Sequence, residues 1–336
     1  MPQRRRPTII DVAHRAGVSK SLVSLVIRGS DNVSEEKRRA VLEAARELGY
    51  RPNAVARSLV RRRTYVIGVM LSDFHNPFFT DVIDGISAAA QESDYQALFN
   101  TGDLSVPGEV RAIETLLQLR VDGLILAGTI VDADTIELVA AEVPLVLASR
   151  ASPTELADSV LTDDEAGASL AVDHLVELGH RHIAHITGGD GAGADDRMRG
   201  FMKAMARHGL ADRALVVSGD YTEGGGIAAM EEILSLPEHP TAVFVANDQA
   251  AIGALRVLGE AGLAVPDDIS LIGYDDTYLA AFGHISLTSV HQDPDQMGRE
   301  AVRLLLERTD EGRTRGRQLI LQPSLTVRES TGPPPR

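Results

Sequence analysis

A chain of 336 residues is longer than one hydrophobic core usually supports, so the sequence predicts more than one domain or one large domain in several parts. Its composition, 44% hydrophobic and 24% charged, is typical of a soluble globular protein, and no apolar run approaches the roughly 18 residues of a membrane-spanning helix. Because cysteine is absent and no apolar segment follows the basic N-terminus, the sequence excludes disulfides and thiolate chemistry and predicts a cytoplasmic location without a secretory signal.

The net charge of −15 is divided unevenly along the chain. Residues 1–63 contain 15 Lys and Arg against 6 Asp and Glu, a net charge of +9, whereas the remainder carries −24. This asymmetry indicates a small basic module for a polyanion, attached to an acidic body that a polyanion would repel. From charge alone, a merely solvated basic tail remains an alternative.

The basic module begins with two short predicted helices. Thr8 and Asp11 have the spacing of a capping pair, which predicts a helix over about 9–16. Gly17 can end this helix in a left-handed conformation, and Ser19 can cap the next helix two residues later. The two helices are therefore expected to meet at a tight turn.

The second helix has two unlike faces, and a third helix supports it. Leu22, Val23 and Val26 can face inward, while the other side carries Lys20, Ser21, Ser24 and Leu25. The third helix is predicted to begin at Ser34 and to end near Leu48, before Gly49. Together these elements form a helix-turn-helix, whose second helix enters the DNA major groove.

The segment "TIIDVAHRAGVSKSLVSLVIRGSDNVSEEKRRAVLEAARELGYRPNAVARSL" resembles the N-terminus of LacI/GalR-family bacterial transcription repressors. The resemblance implies that residues 52 to about 60 form a hinge helix that orders on DNA beside its copy in a second protomer. Leu59 then matches a leucine wedge that opens a central base step from the minor groove. An ordinary interdomain linker is the alternative reading of this segment. The predicted DNA contacts are Thr8, Ser19, Lys20, Ser21, Ser24, Leu25, Arg28, Asn53, Ala56 and Leu59.

Leu25 departs from the pattern of the resemblance. Many relatives carry an arginine at this position, which can form two hydrogen bonds to guanine, whereas leucine offers only apolar contact, for instance to a thymine methyl. The sequence therefore predicts a half-site that differs from the common operator at this base.

The acidic body is predicted to be a doubly wound α/β structure. Short apolar runs separated by amphipathic stretches indicate parallel strands with helices on both faces: "YVIGVML", "YQALFN", "GLILAG", "PLVLAS", "HIAHITG", "ALVVSG", "AVFVAN" and "SLIGYDD". Ligands bind beyond the carboxyl ends of such strands. Several of the runs end in polar residues: Asp73, Asn76, Ser149, Arg150, Asn247, Asp248, Asp275 and Asp276.

These strand ends resemble the LacI/GalR effector site, which is shared with periplasmic sugar-binding proteins, and the likeness extends to about Glu329. It implies a two-lobed body whose polar and aromatic groups bind a sugar, a chemistry that suits a polyol. The predicted effector contacts are Asp73, Asn76, Phe78, Phe79, Ser149, Arg150, Arg197, Tyr221, Asn247, Asp275 and Gln292. Taken alone, either phenylalanine could be a core residue and Asn247 a helix cap.

Ser149 departs from the pattern of sugar-binding members, which commonly place an acid before the arginine. A serine cannot accept from two sugar hydroxyls as a carboxylate does, so the identity of the effector stays open.

The sequence predicts a helix-turn-helix domain over 1–51, a hinge helix and linker over 52–63, and a two-lobed body over 64–330. Lobe crossovers are expected near 160, 290 and 321, and residues 331–336 are expected to form a disordered tail. No heptad-patterned helix follows the last strand, which favours a homodimer.

The resulting interpretation is a DNA-binding regulator, most simply a repressor that a sugar releases from a palindromic operator. Its partners would be double-stranded operator DNA, a small-molecule effector and a second copy of the chain, with no cofactor, metal or membrane. A co-repressor role for the ligand is equally compatible with the sequence. The rival classes are an enzyme, for which the glycine-rich segments lack nucleotide-binding motifs, and a transport-type sugar-binding protein, which would carry no basic module.

Overall fold

The computed structural model describes residues 7–27, 30, 32–50 and 63–335, which fall into two compact units divided after Thr64. Four of the predicted DNA contacts lie outside the described residues: Arg28, Asn53, Ala56 and Leu59. No helix in the described ranges is long and apolar enough to cross a membrane.

The first unit contains helices α1 (Ile9–Ala16), α2 (Lys20–Ile27) and α3 (Glu35–Leu48). The predicted capping pair is confirmed, because the Thr8 amide donates to Asp11 Oδ2 at 2.6 Å and the Asp11 amide donates to Thr8 Oγ1 at 3.4 Å. Gly17 ends α1 with a φ of 65°, which any residue bearing a Cβ adopts only with strain. The short turn that follows brings α2 against α1.

The core of this unit is formed by Val12, Val23, Val26, Val41 and Ala44. The predicted inward face of α2 is confirmed for its two valines. Leu25, which was expected on the outward side, is half-buried and also packs against this core, and its contact with DNA stays a prediction. It lies three residues after Leu22, and residues at this spacing share one face of a helix.

The first lobe of the second unit is a parallel sheet in the strand order β11-β5-β4-β3-β1-β2, covered by helices on both faces. Its elements are β1 (Val66–Leu71), α4 (Pro77–Glu92), β2 (Gln96–Thr101), α5 (Val106–Gln118), β3 (Gly123–Ala127), α6 (Ala133–Glu142), β4 (Leu145–Ala148), β5 (Asp158–Thr162), α11 (Pro294–Glu311) and β11 (Gln318–Leu321). Two apolar clusters, one on each face of the sheet, form its core.

The second lobe repeats this layering in the order β12-β10-β9-β8-β6-β7, with only β12 antiparallel to its neighbour. Its elements are α7 (Asp164–Glu177), β6 (Ile183–Ile186), α8 (Ala194–Arg207), β7 (Ala214–Val217), α9 (Glu223–Leu234), β8 (Ala242–Val245), α10 (Asp248–Glu260), β9 (Ser270–Asp275), β10 (Thr288–His291) and β12 (Ser324–Thr326). The predicted two-lobed α/β body is thereby confirmed, and all eight predicted runs form strands.

The chain passes between the lobes three times. The crossings follow β5 at residue 163, β10 at 292–293 and β11 at 322–323. Each lobe is consequently built from separate stretches of sequence.

The expectation of a disordered tail over 331–336 was wrong for its first residues. His174 Nε2 lies 2.9 Å from Thr331 Oγ1, and the Gly332 amide donates to Ser270 Oγ at 3.0 Å. The Gly332 carbonyl accepts from His180 Nε2 at 2.9 Å. These hydrogen bonds with His174, His180 and Ser270 attach the first residues of the tail to the second lobe.

Candidate functional site

The carboxyl ends of both sheets face one cleft between the lobes of the second unit. The inner compartment of this cleft is lined by Ser72, Asp73, Asn76, Phe78, Phe79, Leu104, Gly128, Ile130, Ser149, Gly191, Ala192, Arg197, Tyr221, Asn247, Asp275 and Gln292. Ten of the eleven predicted effector contacts are therefore brought together here. The exception, Arg150, lines an adjoining outer compartment.

The wall from the first lobe combines polar groups with aromatic rings. Asn76 caps α4 by accepting from the Phe78 amide at 3.0 Å, which fixes the start of the helix and the rings that follow. The Phe78 and Phe79 rings meet edge to face, with centroids 5.3 Å apart at 72°. Asp73 Oδ1 accepts from the His75 amide at 2.8 Å. This wall offers an apolar face next to carboxylate and amide groups.

The strand end after β4 places two predicted contacts differently. Ser149 has a φ of 63°, a left-handed conformation that is strained for a residue with a Cβ. Its Oγ donates to Met297 Sδ at 3.1 Å. Arg150 Nη1 donates to the carbonyls of Thr129 and Val131, at 3.0 and 2.6 Å. Arg150 thus braces the loop after β3, and this is why it does not reach the inner compartment.

Arg197 is the buried cation of the cleft. Its Nε donates to Asp164 Oδ1 at 2.9 Å and its Nη1 donates to the Ala246 carbonyl at 2.5 Å. The guanidinium carbon lies 3.8 Å from the Tyr274 ring centroid and 5.4 Å from that of Tyr221. Burial lowers the pKa of Arg197, but Asp164 opposes this and the net shift is upward. The side chain is charged and fixed before a ligand arrives.

The wall from the second lobe extends into the second crossover. Asn247 caps α10 by accepting from the Ala250 amide at 2.9 Å, and its Nδ2 donates to the Tyr221 carbonyl at 3.0 Å. Its role as a helix cap and its place in the cleft therefore coexist. Gln292 Nε2 donates to Asp275 Oδ1 at 2.5 Å, while Gln292 Oε1 accepts from Thr162 Oγ1 at 2.9 Å.

Two carboxyl groups at this wall are buried: Asp275, which lines the inner compartment, and Asp248, which does not. Burial raises the pKa of Asp275 well above its usual range, although Arg197 lowers it. Burial likewise raises the pKa of Asp248 to about 6, against hydrogen bonds from Ser289 and Thr277 that lower it. Asp248 lies at the end of a predicted strand but is not among the predicted effector contacts. Its tight partners make it a support for the loop after β9 rather than a ligand contact.

Several lining residues were missed because they lack distinctive chemistry. Leu104, Ile130, Gly191 and Ala192 line the inner compartment through small or apolar groups, and no motif marks them. Tyr274 packs under Arg197 from inside β9, and no feature of the predicted strand "SLIGYDD" assigned it a role.

The helix-turn-helix unit has its own candidate surface, on α2. Lys20 and Ser21 are exposed, while Ser24 is half-buried. Ser19 Oγ accepts from the Leu22 amide at 3.2 Å, and the Thr8 hydroxyl donates to Asp11 Oδ2 at 2.7 Å. Among the predicted DNA contacts in the described ranges, these last two also serve as helix caps.

A helix-turn-helix unit followed by a two-lobed body with a polar and aromatic cleft defines a ligand-responsive DNA-binding regulator. Residues 8–53 match the model for bacterial regulatory proteins of the lacI family, and residues 172–331 match a periplasmic binding protein-like domain. The chain belongs to the lacI family of bacterial regulatory proteins.

Relatives and solved structures match this chain over nearly its whole length. The HTH-type transcriptional regulator CelR of Thermobifida fusca is 38% identical over 98% of this chain and 100% of its own. The lac repressor dimer bound to operator and the anti-inducer ONPF is 33% identical, covers 98% of this chain and 100% of that chain, and has a TM-score of 0.86. A CelR–cellobiose complex is 36% identical, covers 97% and 100%, and has a TM-score of 0.72.

Proposed function

We propose that the protein is a repressor that binds a palindromic operator as a homodimer and is released by a sugar or sugar-like effector. The observation that carries this proposal is the cleft, where groups from both lobes and from a crossover converge on one space. The similar lac repressor dimer, which is bound to operator, and the CelR complex with cellobiose support the two halves of the proposal. Its action needs no catalysis, and its place of action is the cytoplasm.

The chemistry of the cleft favours a polyol. The edge-to-face pair Phe78 and Phe79 offers an apolar aromatic surface for the C–H face of a ring. Arg197, Asn247 and Asp275 offer donors and acceptors for hydroxyls, whose burial would be costly if they were left unbonded.

Release from DNA requires the ligand to distinguish two arrangements of the lobes. A sugar that contacts Phe79 on one lobe and Arg197 on the other stabilises the arrangement in which both contacts form. A ligand with equal affinity for both arrangements would shift nothing, however tightly it bound. In the dimer, the new arrangement separates the hinge segments and lowers the affinity for DNA.

The exposed side of α2 reads bases in each half-site, and basic side chains hold the register on phosphates. Lys20 and Ser21 are the exposed members of this side in the structure. The minor-groove wedge by Leu59 stays a prediction from the sequence, since this residue lies outside the described residues.

A gel-shift assay of the intact protein tests the proposal. The probes are palindromes upstream of its own and neighbouring genes, with and without candidate sugars. We expect one palindrome to shift as a dimer complex and one sugar to release it. Failure to shift any palindrome would contradict the repressor function and favour a transport-type binding protein.

A thermal-shift screen of sugars identifies the effector. The gel-shift assay with that sugar then shows whether it releases or strengthens the operator complex. The effector should raise the melting temperature, because it binds the folded state. If the same sugar strengthens the operator complex, the ligand is a co-repressor and release by a sugar is refuted.

A further inference from the structure

We propose that Glu109 is a positioning residue of the effector site, which acts through the β3 loop, residues 128–131 that directly follow β3. This inference rests on the proposed function and adds a residue that no strand-end pattern marks. Glu109 lies in the first turn of α5, and its side chain is fully buried. Any effect that it has on a ligand must therefore pass through the residues that it contacts.

The β3 loop lies at the boundary between the two compartments of the cleft. Gly128 and Ile130 line the inner compartment, and Thr129 and Ile130 line the outer one. From the second lobe, Gly191 and Ala192 also line both compartments. A shift of this loop would consequently change the shape of the whole cleft.

Two donors of the β3 loop are bonded to one oxygen of Glu109. Glu109 Oε2 accepts from the Thr129 hydroxyl at 2.6 Å and from the Ile130 amide at 3.0 Å. Thr129 Oγ1 in turn accepts from the Val131 amide at 3.4 Å. Because buried amides and hydroxyls need partners, this carboxyl group fixes the conformation of three consecutive loop residues.

Arg150 binds the same loop through its acceptors. Its Nη1 donates to the carbonyls of Thr129 and Val131. Glu109 and Arg150 are far apart in sequence, on α5 and after β4, and the β3 loop lies between them in the chain. One acidic and one basic side chain thus hold the donors and the acceptors of a single loop.

Close packing leaves this arrangement little freedom to shift. A Cβ on Gly102 would overlap the Glu109 side chain, so only glycine fits beside it. A Cβ on Gly128, which has a φ of 69°, would lie 2.5 Å from the Phe79 ring. The β3 loop therefore packs directly on the aromatic wall of the cleft, and a displacement of the loop would reach that wall.

Burial of Glu109 is unfavourable for stability. Burial raises the pKa of this residue, although hydrogen bonds from the loop and the charge of Arg150 lower it. In the part of the chain that the structure describes, Glu109 Oε1 has no hydrogen-bond partner. Buried polar groups left in this state are uncommon and are concentrated at functional sites, which agrees with a role of Glu109 in the cleft.

Calorimetry on the full chain tests the inference with glucose, galactose, ribose, maltose and cellobiose, and the tightest of these sugars is the probe for the variants. Glu109→Ala should weaken its binding by about tenfold, because loop donors lose their acceptor, and should leave operator binding without sugar unchanged. Glu109→Gln keeps an accepting oxygen and should restore most of the affinity. Glu114→Ala, at an exposed position of α5, is the matched control.

Hydrogen exchange separates positioning from a general loss of stability. In Glu109→Ala the Ile130 amide should exchange faster by about tenfold, because its acceptor is removed. The Leu126 amide inside β3 should keep its wild-type rate. Faster exchange at both amides would show that Glu109 only stabilises the fold, and this would overturn the inference.

Thr129→Val is a second variant, which keeps the test valid if Glu109→Ala does not fold. It removes only the hydroxyl that donates to Glu109 and should weaken sugar binding several-fold. Arg150→Ala combined with Glu109→Ala should weaken binding by less than the product of the two single effects, because both residues act through one loop. Independent effects would contradict the shared loop.

Two further outcomes distinguish the inference from the proposed function. Unchanged sugar affinity in Glu109→Ala and Thr129→Val would overturn the positioning role and leave the proposed function standing. If the wild type binds none of the sugars and none affects operator binding, the proposed function fails, and the inference fails with it.

Discussion

Arg197 is held on three sides before any ligand enters the cleft. Asp164 and the Ala246 carbonyl accept from its guanidinium, and the Tyr274 ring lies beneath it. A cation held in this way loses little conformational freedom when it binds a hydroxyl, so its contribution to affinity is large for one side chain.

Arg197→Ala should abolish the response to the effector while operator binding remains normal. Loss of charge-assisted hydrogen bonds should reduce effector affinity at least tenfold, or about 1.4 kcal/mol, measured by calorimetry. Arg207→Ala, on the exposed end of the same helix, is the matched control. Retained release of the operator complex by the cognate sugar would refute the role of Arg197.

His185 makes the stability of the second lobe depend on pH. The ring is buried and stacked on Phe244 with centroids 4.6 Å apart, and burial lowers the pKa of His185 to about 4. Its pKa in the unfolded chain is about 6.5, so the unfolded state binds a proton first as the pH falls. Stability is therefore lost as the pH falls from 6.5 towards 4.

A change from pH 7 to pH 5 should lower the free energy of unfolding by about 2 kcal/mol through His185 alone. His185→Phe should remove this part of the pH dependence. Urea unfolding at the two pH values measures it, with the exposed His284→Gln as the control. Identical pH dependence in the wild type and His185→Phe would show that burial does not act on this ring as described.

At the scale of elements, α1 depends on its capping box. Thr8→Ala removes the hydroxyl that accepts from the Asp11 amide and should destabilise the first unit by about 1 kcal/mol, measured by thermal unfolding. Thr8→Ser keeps the hydroxyl and should restore most of the loss. If Thr8→Ala weakens operator binding at unchanged stability, Thr8 acts on DNA and not as a cap.

The hinge segment predicted from the sequence, which lies outside the described residues, is the second element expected to have a separable role. Leu59→Ala should weaken operator binding, because the wedge no longer offsets the cost of opening a base step, and should leave effector binding nearly intact. Leu59→Met, which keeps an apolar wedge, should bind more tightly than the alanine variant. Equal operator affinity of Leu59→Ala and wild type in a titration would contradict the wedge.

The elements that sequence reasoning found were those with a strong apolar pattern. β5 was not predicted because its buried residues include polar ones, which break the apolar pattern of a strand. Asp158 can be buried there because it accepts from Arg313 Nη1 and Nη2, at 2.9 and 2.6 Å. Burial of an aspartate is strongly unfavourable without such a partner, and Arg313 lies 155 residues away in sequence. Leu25 is a related case, since its half-buried side chain packs partly on the core of the first unit and is partly exposed.

At the scale of the whole molecule, two crossovers are joined by one hydrogen bond. Thr162 Oγ1, at the end of β5, donates to Gln292 Oε1, which follows β10 and also contacts Asp275 in the cleft. This places a hinge contact in direct connection with the ligand site. Motions that change the angle between the lobes must keep or break this bond.

Thr162→Val should leave effector affinity within a few-fold of wild type but reduce the coupling between effector and operator, which typically amounts to about 1–3 kcal/mol. The measurement is the ratio of operator affinities with and without saturating effector. Thr162→Ser, which keeps the hydroxyl, is the control. An unchanged ratio in Thr162→Val would remove this bond from the mechanism.

The position of the cleft follows from sequence, because strand ends carry the polar residues in any doubly wound sheet. The division of the cleft into an inner and an outer compartment does not follow from sequence. The volumes of the compartments depend on the space that Ser149, Gly191 and Ala192 leave between the two lobes. The order of the tail could not be predicted either, because Gly332 is held by hydrogen bonds to His180 and Ser270, which are distant in sequence, and the tail itself has no strand or helix pattern.

The interleaved path of the chain through the lobes bears on synthesis. α11 and β11 belong to the first lobe but come from the last 43 residues of the sequence, so neither lobe can be completed until nearly all of the chain has been made. The three helices of the first unit precede both lobes in the sequence and pack on one another through residues that are near in sequence, and such units fold early. A prematurely terminated product would therefore contain the DNA-reading helices without a working sensor, and its occupancy of an operator would be beyond the control of any metabolite.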